Sequence, residues 1–289
     1  MYIDGKTRTC GLIGNPVEHT MSPAIHHFLA EKTGQNLAYL PFLVEEEHLE
    51  DAVNGAYALN LLGVNVTVPY KSDVLPFLSE VDPLAKQIGA VNTLVRTDEG
   101  FKGYNTDMPG LYRAMQSDGV NIEGESVMIL GAGGVARAVA MMLAKKNAKE
   151  ILILNRTLER AQAIEDEINE IEGRHLVSAM PLDAWKELTG EKRFVVIQAT
   201  KVGMHPFTEE TVITEKAFYK KVKVGYDLIY NPLETRFMQL VKKAGGRAYP
   251  GLKMLLYQGI IAFELWTGET ITEEIANDAY AALLAQMNK

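Results

Sequence analysis

The segment GVNVTVPYK, residues 63–71, places a lysine directly after a short run of small and β-branched residues. Such a run is typical of a buried strand, and Pro69 ends the ladder because proline has no N–H to donate. The turn restricts where the side chain of Lys71 begins. An ammonium group there can donate a proton to the oxygen of a substrate that changes between alcohol and ketone. Lys71 is therefore a candidate acid, and a solvated lysine is the alternative.

A carboxylate beside that ammonium group would orient it and share the proton, and Asp107 is the candidate. It ends the segment GYNTD, residues 103–107, directly before a predicted helix. Asp107 could instead serve only as the N-cap of the helix that begins at Met108 and Pro109. Spacing alone favours the simpler alternative for each residue, which is a solvated lysine for Lys71 and an N-cap for Asp107.

A glycine-rich segment follows the apolar strand predicted at residues 126–130 and opens a helix. It fits the pattern G-x-G-x-x-G/A, in which backbone N–H groups bind a pyrophosphate at the positive end of the helix dipole. We expect a dinucleotide to bind at Gly131, Ala132, Gly133, Gly134, Val135 and Ala136. A turn that merely joins strand to helix is the alternative.

The end of the next predicted strand indicates which dinucleotide is bound. NAD-binding sites usually end this strand with Asp or Glu, which accepts a hydrogen bond from the ribose 2′-hydroxyl group. This chain has Asn155, Arg156 and Thr157 there, and Arg160 follows one helical turn later. Guanidinium groups attract a 2′-phosphate that a carboxylate would repel, so the sequence favours NADP. The alternative is that both arginines are ordinary surface charges.

The composition of the 289-residue chain is that of a globular enzyme, and its length suggests two domains. Basic residues number 29 and acidic residues 37, a net charge of −8 that argues against nucleic acid as a partner. We expect no membrane segment, because every apolar run is far shorter than the roughly 18 residues that span a bilayer. The N-terminal sequence lacks the apolar core of a signal peptide. Cys10 is the one cysteine, and we expect it to be buried in a protein of the reducing cytoplasm.

Two segments differ in the rhythm of their predicted elements. The first, to about residue 107, contains strands, helices and a hairpin-like pair: strands 9–13, 37–43 and 63–68, helices 22–33 and 46–60, and a turn at 98–100. The second alternates helices with strands at 126–130, 150–154, 176–179, 194–199 and 222–228. This alternation predicts a parallel, doubly wound sheet. Two helices, 252–266 and 272–287, close the chain, and the pattern alone does not decide which segment they join.

A series of motifs along nearly the whole chain resembles the shikimate/quinate dehydrogenase family. In order, they are GNPVEHTMSP (14–23), NVTVPYK (65–71), GAVNTL (89–94), GYNTD (103–107), GAGGVARA (131–138), NRTLERA (155–161), VGM (202–204), DLIYNP (227–232) and GLKMLLYQG (251–259). Several motifs in one order are far more specific than a single glycine loop.

The resemblance implies reversible, NADPH-dependent reduction of 3-dehydroshikimate to shikimate in aromatic amino-acid biosynthesis. It also implies an α/β fold with an N-terminal substrate domain, a Rossmann-type domain, and C-terminal helices that pack back on the first domain. On this basis residues 1–107 and 252–289 form the substrate-binding and catalytic domain, and residues 108–251 form the NADP-binding domain. The expected partner is the small-molecule substrate. A homodimer stays open, because the sequence does not reveal the oligomeric state.

Carried over position by position, the resemblance makes Lys71 and Asp107 the catalytic pair. It also implies two further sets of residues around the ligands. The substrate-binding residues are Thr20, Ser22 and Tyr230 at the carboxylate, and Asn65, Thr67, Asn92 and Gln258 at or beside the hydroxyl groups. The residues added to the cofactor site are Thr200, Gly251 and Met254. A small polyhydroxylated anion needs many such neutral donors and acceptors.

Two departures from the family pattern leave alternatives open. The usual serine-x-serine pair is Thr-Met-Ser at residues 20–22. The extra methyl group of Thr20 narrows the substrate pocket, so the sequence does not decide whether shikimate or quinate is the preferred substrate. The usual Asn-Ala-Thr-Ser is Gln-Ala-Thr-Lys at residues 198–201, and a lysine there resembles the quinate/shikimate branch, part of which accepts NAD. We favour NADP because the guanidinium groups of Arg156 and Arg160 are expected to bind the 2′-phosphate directly.

Two other hypotheses remain beside the leading one. The first is a quinate/shikimate dehydrogenase that accepts NAD, and the second is a non-catalytic metabolite sensor of the same fold. The presence of both Lys71 and Asp107 argues against the sensor. We expect no metal site, because His26 and His27 have no companions at metal-ligand spacing.

Overall fold

The structure, a computed structural model, describes residues 3–287. Within this range the chain forms twelve strands and ten α-helices. The strands are β1 Arg8–Gly14, β2 Leu37–Leu43, β3 Gly63–Val66, β4 Glu80–Val81, β5 Thr93–Thr97, β6 Gly100–Tyr104, β7 Ser126–Leu130, β8 Glu150–Asn155, β9 Val177–Pro181, β10 Phe194–Gln198, β11 Val222–Asp227 and β12 Arg247–Tyr249. The helices are α1 Ser22–Thr33, α2 Leu49–Ala58, α3 Pro83–Ile88, α4 Asp107–Ser117, α5 Gly134–Lys145, α6 Leu158–Glu172, α7 Lys216–Tyr219, α8 Arg236–Lys243, α9 Leu252–Thr267 and α10 Glu273–Met287. Across residues 3–287, every helix is too short or too polar to cross a membrane.

The chain divides into two compact units. The first contains the residues up to Leu111 together with those from Leu255 onward, and the second is Tyr112–Met254. The last two helices therefore belong almost entirely to the first unit, as the resemblance implied. Their docking includes an ion pair of 2.8 Å between Lys32 on α1 and Asp278 on α10.

The sheet of the first unit is mixed, with the strand order β2-β1-β3-β5-β6-β4. β1 is parallel to both β2 and β3, whereas β5 is antiparallel to β3 and β6. Helix α9 lies close against this sheet at Gly63, where any larger side chain would overlap the ring of Trp266. The indole N–H of Trp266 donates a hydrogen bond of 2.8 Å to the carbonyl oxygen of Leu94 on β5. Glycine at position 63 of β3 thus allows α9 to pack closely against the sheet.

The sheet of the second unit is entirely parallel, with the strand order β12-β11-β10-β7-β8-β9. Counted from β7, this is the order 3-2-1-4-5-6 of the doubly wound Rossmann fold, so the predicted fold class is confirmed. β7 is buried throughout and β8 is buried except at its two end residues, which explains why SVMIL and EILIL are nearly continuous apolar runs instead of alternating ones.

Some element boundaries differ from the prediction. The helix predicted at residues 46–60 begins as a 3₁₀ turn, Glu46–His48, before α2 takes over. It ends earlier than predicted, because Asn60 adopts a left-handed φ of +61° that cannot continue an α-helix. The strand predicted at residues 63–68 ends at Val66, so the residues that lead to Lys71 already belong to the turn.

Candidate active site

The turn that carries Lys71 is fixed by the residue before it. Tyr70 is almost completely buried, and its hydroxyl group donates a hydrogen bond of 2.6 Å to the carbonyl oxygen of Val44. The carbonyl oxygen of Lys71 accepts a hydrogen bond of 2.7 Å from the backbone N–H of Val91. The backbone of Lys71 is therefore anchored on both sides, and its side chain starts from a defined point.

Asp107 is the first residue of helix α4, and the side chain of Asn105 accepts a hydrogen bond from the first turn of that helix. Oδ1 of Asn105 accepts a hydrogen bond of 3.3 Å from the backbone N–H of Met108, and its Nδ2 donates to the carbonyl oxygen of Ala90 at 3.0 Å. The idea that Asp107 serves only as the N-cap is therefore wrong. Its Oδ2 instead accepts a hydrogen bond of 2.7 Å from Nζ of Lys71.

The pair of Lys71 and Asp107 is both charge-assisted and accessible. The side chain of Lys71 is 32% exposed and that of Asp107 is 18% exposed. An ammonium group can donate three hydrogen bonds, and the carboxylate uses one of them. The pair can therefore meet a ligand from solvent while each member keeps the other in place.

A buried polar network lies beside the ends of β3 and β5. Asn65 accepts a hydrogen bond of 2.7 Å from the Tyr39 hydroxyl group at Oδ1. Its Nδ2 donates to the carbonyl oxygen of Asn92 at 3.1 Å and to Oγ1 of Thr93 at 3.0 Å. Both amide hydrogens of Asn65 are thus used within the protein, so towards a ligand it can act only as an acceptor.

Asn92 connects this network to the start of helix α4. Its Oδ1 accepts a hydrogen bond of 2.7 Å from the backbone N–H of Thr106, and its Nδ2 donates to Oγ1 of Thr106 at 3.0 Å. Within residues 3–287 the second amide hydrogen of Asn92 has no partner, so this residue can donate to a ligand. Thr106 directly precedes Asp107, so the network also fixes the backbone next to the carboxylate that binds Lys71.

The segment before α1 places two of the predicted carboxylate ligands. Oγ1 of Thr20 accepts a hydrogen bond of 3.2 Å from the backbone N–H of Ser22, so the hydroxyl hydrogen of Thr20 stays available for a carboxylate. Ser22 is the first residue of α1, whose N-cap is Met21. The hydroxyl group of Ser22 lies beside the phenol of Tyr39, whose pKa is raised well above its usual value by burial.

The other predicted substrate ligands are spread over both units. Thr67 follows β3 and packs on Gly14, where a larger side chain would overlap its methyl group. Gln258 lies on α9, where a Cβ at Gly110 of α4 would come within 2.7 Å of its backbone nitrogen. This close approach sets Gln258 beside the first turns of α4. Tyr230 lies in the second unit after β11, and burial raises the pKa of its phenol.

The glycine loop of the second unit contains two kinds of glycine. Gly131 has a φ of +110°, and a Cβ there would lie 2.7 Å from Cγ2 of Thr200, so the fold itself demands glycine. A Cβ at Gly133 or Gly134 would meet nothing within 4 Å. Packing therefore does not explain those two glycines, and they leave open space at the start of α5.

The residues after β8 lie at the neighbouring strand end. Nδ2 of Asn155 donates a hydrogen bond of 2.8 Å to the carbonyl oxygen of Thr157 and so shapes the turn. Arg156 and Arg160 are exposed, and neither makes an ion pair within residues 3–287. A cavity of about 270 Å³ opens beside Arg156; its other lining residues are Pro181, Leu182, Asp183, Trp185, Val212, Ile213 and Glu215.

Two further predicted cofactor residues lie near the ends of β10 and β12. Thr200 follows β10, and its Oγ1 accepts a hydrogen bond of 3.1 Å from the backbone N–H of Val202. Gly251 follows β12 and packs against the carbonyl oxygen of Leu228, which leaves no room for a side chain. Met254 ends the second unit. Ligands of open α/β sheets bind at the carboxyl ends of the strands, where the glycine loop, Thr200 and Gly251 all lie.

Several residues that hold the predicted substrate-binding side chains in place were not predicted from the sequence. Tyr39, Thr93 and Thr106 are buried and join the network around Asn65 and Asn92. The signal that could have found the two threonines was their position within the motifs GAVNTL and GYNTD. Tyr39 has no such signal, because an aromatic residue in a strand is ordinary.

Comparison with known proteins decides the family. The shikimate dehydrogenase substrate binding domain matches residues 12–94, shikimate/quinate 5-dehydrogenase matches residues 113–246, and the shikimate 5′-dehydrogenase C-terminal domain matches residues 251–275. The chain belongs to the shikimate dehydrogenase family.

Relatives within the shikimate dehydrogenase family match nearly the whole chain. Shikimate dehydrogenase (NADP(+)) of Desulforamulus reducens is 42% identical over 277 residues, which are 94% of either chain. The crystal structure of the Thermus thermophilus enzyme in complex with NADP(H) and shikimate is 32% identical with a TM-score of 0.82, and the match covers 95% of this chain and 99% of that one. Quinate dehydrogenase of Corynebacterium glutamicum in complex with NAD is 29% identical with a TM-score of 0.84, over 96% of this chain and 99% of that one. The fold is thus common to relatives that differ in substrate and cofactor.

Proposed function

We propose that this protein is an NADP-dependent oxidoreductase that interconverts 3-dehydroshikimate and shikimate. The observation that carries the proposal is the hydrogen bond of 2.7 Å between Nζ of Lys71 and Oδ2 of Asp107. It joins two residues that are 36 positions apart in the sequence, and Asp107 directly follows Thr106 of the buried polar network. In this proposal the first unit binds the substrate and the second binds the cofactor.

The chemistry assigned to the chain is proton transfer at the substrate oxygen. NADPH, when bound, supplies the reducing equivalent. The ammonium group of Lys71 donates a proton to the oxygen as it becomes an alcohol, and in the reverse direction the neutral amine takes the proton back. Asp107 orients the ammonium group, and its negative charge stabilises the protonated form.

The substrate is recognised by neutral groups. The proposed donors to its carboxylate are Thr20, Ser22 and Tyr230. A second set of residues, Thr67, Asn65, Asn92 and Gln258, meets its hydroxyl groups. Within residues 3–287 Asn92 keeps one amide hydrogen without a partner, whereas Asn65 offers only an acceptor, so a hydroxyl group at Asn92 would accept and one at Asn65 would donate. A site built in this way rejects analogues that leave its polar groups unpaired.

The residues of the second unit fit a dinucleotide with a 2′-phosphate. Gly133 and Gly134 leave space at the start of α5 that a phosphate group would use. Arg156 and Arg160, which make no ion pair within residues 3–287, offer guanidinium groups after β8, where an NAD-specific site would have a carboxylate. The cavity beside Arg156 is large enough for an aromatic base.

The second candidate is a quinate/shikimate dehydrogenase that accepts NAD. Lys201 follows Thr200 at the position where the family usually has serine, and the quinate dehydrogenase of C. glutamicum has the same overall fold. Steady-state rates with shikimate and with quinate, each measured with NADP⁺ and NAD⁺, separate the two. We expect shikimate with NADP⁺ to give the highest kcat/KM; a preference for quinate with NAD⁺ would overturn the proposal, and binding of shikimate without turnover would favour the sensor.

Two finer points belong to the same proposal. We place the enzyme in the cytoplasm, because its one cysteine, Cys10, is buried and burial raises the pKa of its thiol to about 12, which suits a protein without disulfides. We also propose a homodimer as the form in solution. Light scattering after gel filtration tests the second point, and a molecular mass of 32.0 kDa would contradict it.

A further inference from the structure

A buried carboxylate lies at the end of β11, and within residues 3–287 it has no cationic partner. Asp227 has none of its surface exposed. Its oxygen atoms accept hydrogen bonds from the hydroxyl group of Thr235 at 2.6 Å, the backbone N–H of Ile229 at 3.0 Å and Nε2 of Gln198 at 3.3 Å. Burying a carboxylate without a cation costs free energy, so stability alone does not explain its presence.

Gln198, the last residue of β10, links the segment that follows this strand to the carboxylate of Asp227. Its Oε1 accepts a hydrogen bond of 2.6 Å from the backbone N–H of Thr200. Its Nε2 donates to the carbonyl oxygen of Val202 at 3.1 Å and to Asp227. The family pattern has asparagine at this position, and the glutamine of this chain is one methylene group longer. In this chain the Gln198 side chain thus connects the segment after β10 to Asp227.

Thr235 ties a second segment to the same carboxylate. It is completely buried, and as the N-cap of α8 its Oγ1 accepts a hydrogen bond of 3.3 Å from the backbone N–H of Met238. The segment between Asp227 and Thr235 contains Tyr230. Because Asp227 also accepts from the backbone N–H of Ile229, this segment is anchored at its beginning and at its end.

We propose that Asp227 is a positioning residue that holds the Thr200 and Tyr230 segments in place through Gln198 and Thr235. The inference rests on the proposed function, in which Thr200 lies at the cofactor and Tyr230 at the substrate carboxylate. With no exposed surface, Asp227 touches neither ligand. It acts through the two segments, and a loss of its hydrogen bonds misplaces both.

The charge of Asp227 separates this role from a purely structural one. The side chains that face it, Gln198 and Thr235, are uncharged, and burial raises its pKa from the usual 3.8 to about 6. The native state therefore binds this proton more tightly than the unfolded chain does, and the ionised carboxylate lowers stability progressively as the pH rises from 3.8 through about 6. An amide at this position removes that cost, but it cannot accept hydrogen bonds at both of its ends.

Asp227→Asn tests the inference by calorimetric unfolding, by titration calorimetry with NADP⁺ and by the pH profile of kcat/KM. At a pH of about 7.5 we expect the variant to unfold at the wild-type Tm or higher. We expect the Kd of NADP⁺ to rise about fivefold. The kcat/KM for shikimate should fall about tenfold to a hundredfold, because small displacements of binding groups are costly. The wild-type profile should lose activity below a pH of about 6, and this limb should be absent from the variant.

Two more variants complete the design. Gln198→Asn keeps the carboxylate of Asp227 and breaks only the link through Gln198. It should therefore also raise the Kd of NADP⁺, and it tests the inference even if Asp227→Asn does not fold. Glu165→Gln is a matched acid-to-amide change on α6, where the carboxylate accepts a hydrogen bond of 2.9 Å from the backbone N–H of Ala179. It should leave the Kd and the pH profile unchanged.

The outcomes distinguish this inference from the proposed function. A lower Tm for Asp227→Asn with the wild-type Kd and pH profile would show a structural network only and overturn the inference. If the wild type turns over neither shikimate nor quinate, the proposed function fails. An NADP⁺ affinity that still depends on Asp227 would then support the positioning role on its own.

Discussion

The Tyr39 hydroxyl group donates a hydrogen bond of 2.7 Å to Oδ1 of Asn65, and both side chains are buried. This bond decides which way the amide of Asn65 points. With Oδ1 turned towards Tyr39, both amide hydrogens are used by Asn92 and Thr93. In the proposed substrate site, Tyr39 thus determines that Asn65 offers an acceptor, and not a donor, to a hydroxyl group.

We predict that Tyr39→Phe raises the KM for shikimate about fivefold, because the amide of Asn65 loses one partner and can rotate. The free energy of unfolding should fall by about 1 kcal/mol. The control is Tyr57→Phe, which removes a hydroxyl group that donates to the carbonyl oxygen of Asp98 at 2.7 Å. Steady-state kinetics of both variants check the prediction, and an equal change in KM for the two would contradict it.

Lys71→Ala is expected to lower kcat by about 10²–10⁴, the usual contribution of a positioned acid or base. The affinity for shikimate should change much less, since the carboxylate of the substrate is bound elsewhere. Lys102→Ala is the matched control, because Lys102 forms a surface ion pair with Glu80. Rates under single-turnover conditions report the chemical step directly, and a near-normal rate for Lys71→Ala would exclude it as the proton carrier.

Replacing Arg156 should change cofactor choice more than catalysis. We expect Arg156→Gln to raise the KM for NADP⁺ about tenfold and to leave that for NAD⁺ nearly unchanged, because only NADP⁺ carries the 2′-phosphate. Arg174→Gln removes another exposed arginine of the same unit and should affect neither. Equal effects of Arg156→Gln on both cofactors would remove Arg156 from the phosphate site.

His26 is a buried histidine whose ring nitrogens make no hydrogen bond of good geometry within residues 3–287. Its ring stacks on Tyr39 with 4.2 Å between the centroids and lies 5.0 Å from Trp266. Burial lowers its pKa from 6.5 to about 3, against the opposite effect of the neighbouring Asn65 side chain. The unfolded chain therefore binds this proton before the native state does, so stability is complete above 6.5 and is lost as the pH falls.

We predict that His26→Phe reduces the acid-side slope of the unfolding free energy by about one proton, or about 1.4 kcal/mol per pH unit. Phenylalanine can keep the stack on Tyr39 and does not titrate. Urea unfolding between a pH of about 4 and 6 measures the slope. Phe28→Leu changes the same helix without a titrating group and should keep the wild-type slope; the same slope in His26→Phe would refute the assignment.

Local chemistry explains which parts of the fold were predictable. The glycine loop and the arginines after β8 follow from short-range rules, because a strand, a tight turn and a helix start are encoded within a few residues. The boundaries of β2 and β7 were predicted to the residue for the same reason. The role of Asp107 was not decided by local rules, because aspartate is a good N-cap and only the hydrogen bond from Lys71 shows where its carboxylate is used.

The sequence by itself determined the family, the parallel sheet of the second unit and the identity of Lys71 and Asp107 as candidates, since motifs and periodicity are local properties of a chain. Only the tertiary structure decided that these two side chains meet at 2.7 Å and that Tyr39 orients Asn65. It also decided that Asp227 joins the ends of β10 and β11. Such contacts link residues that are tens of positions apart, and their partners are chosen by packing and by the need to satisfy buried polar groups.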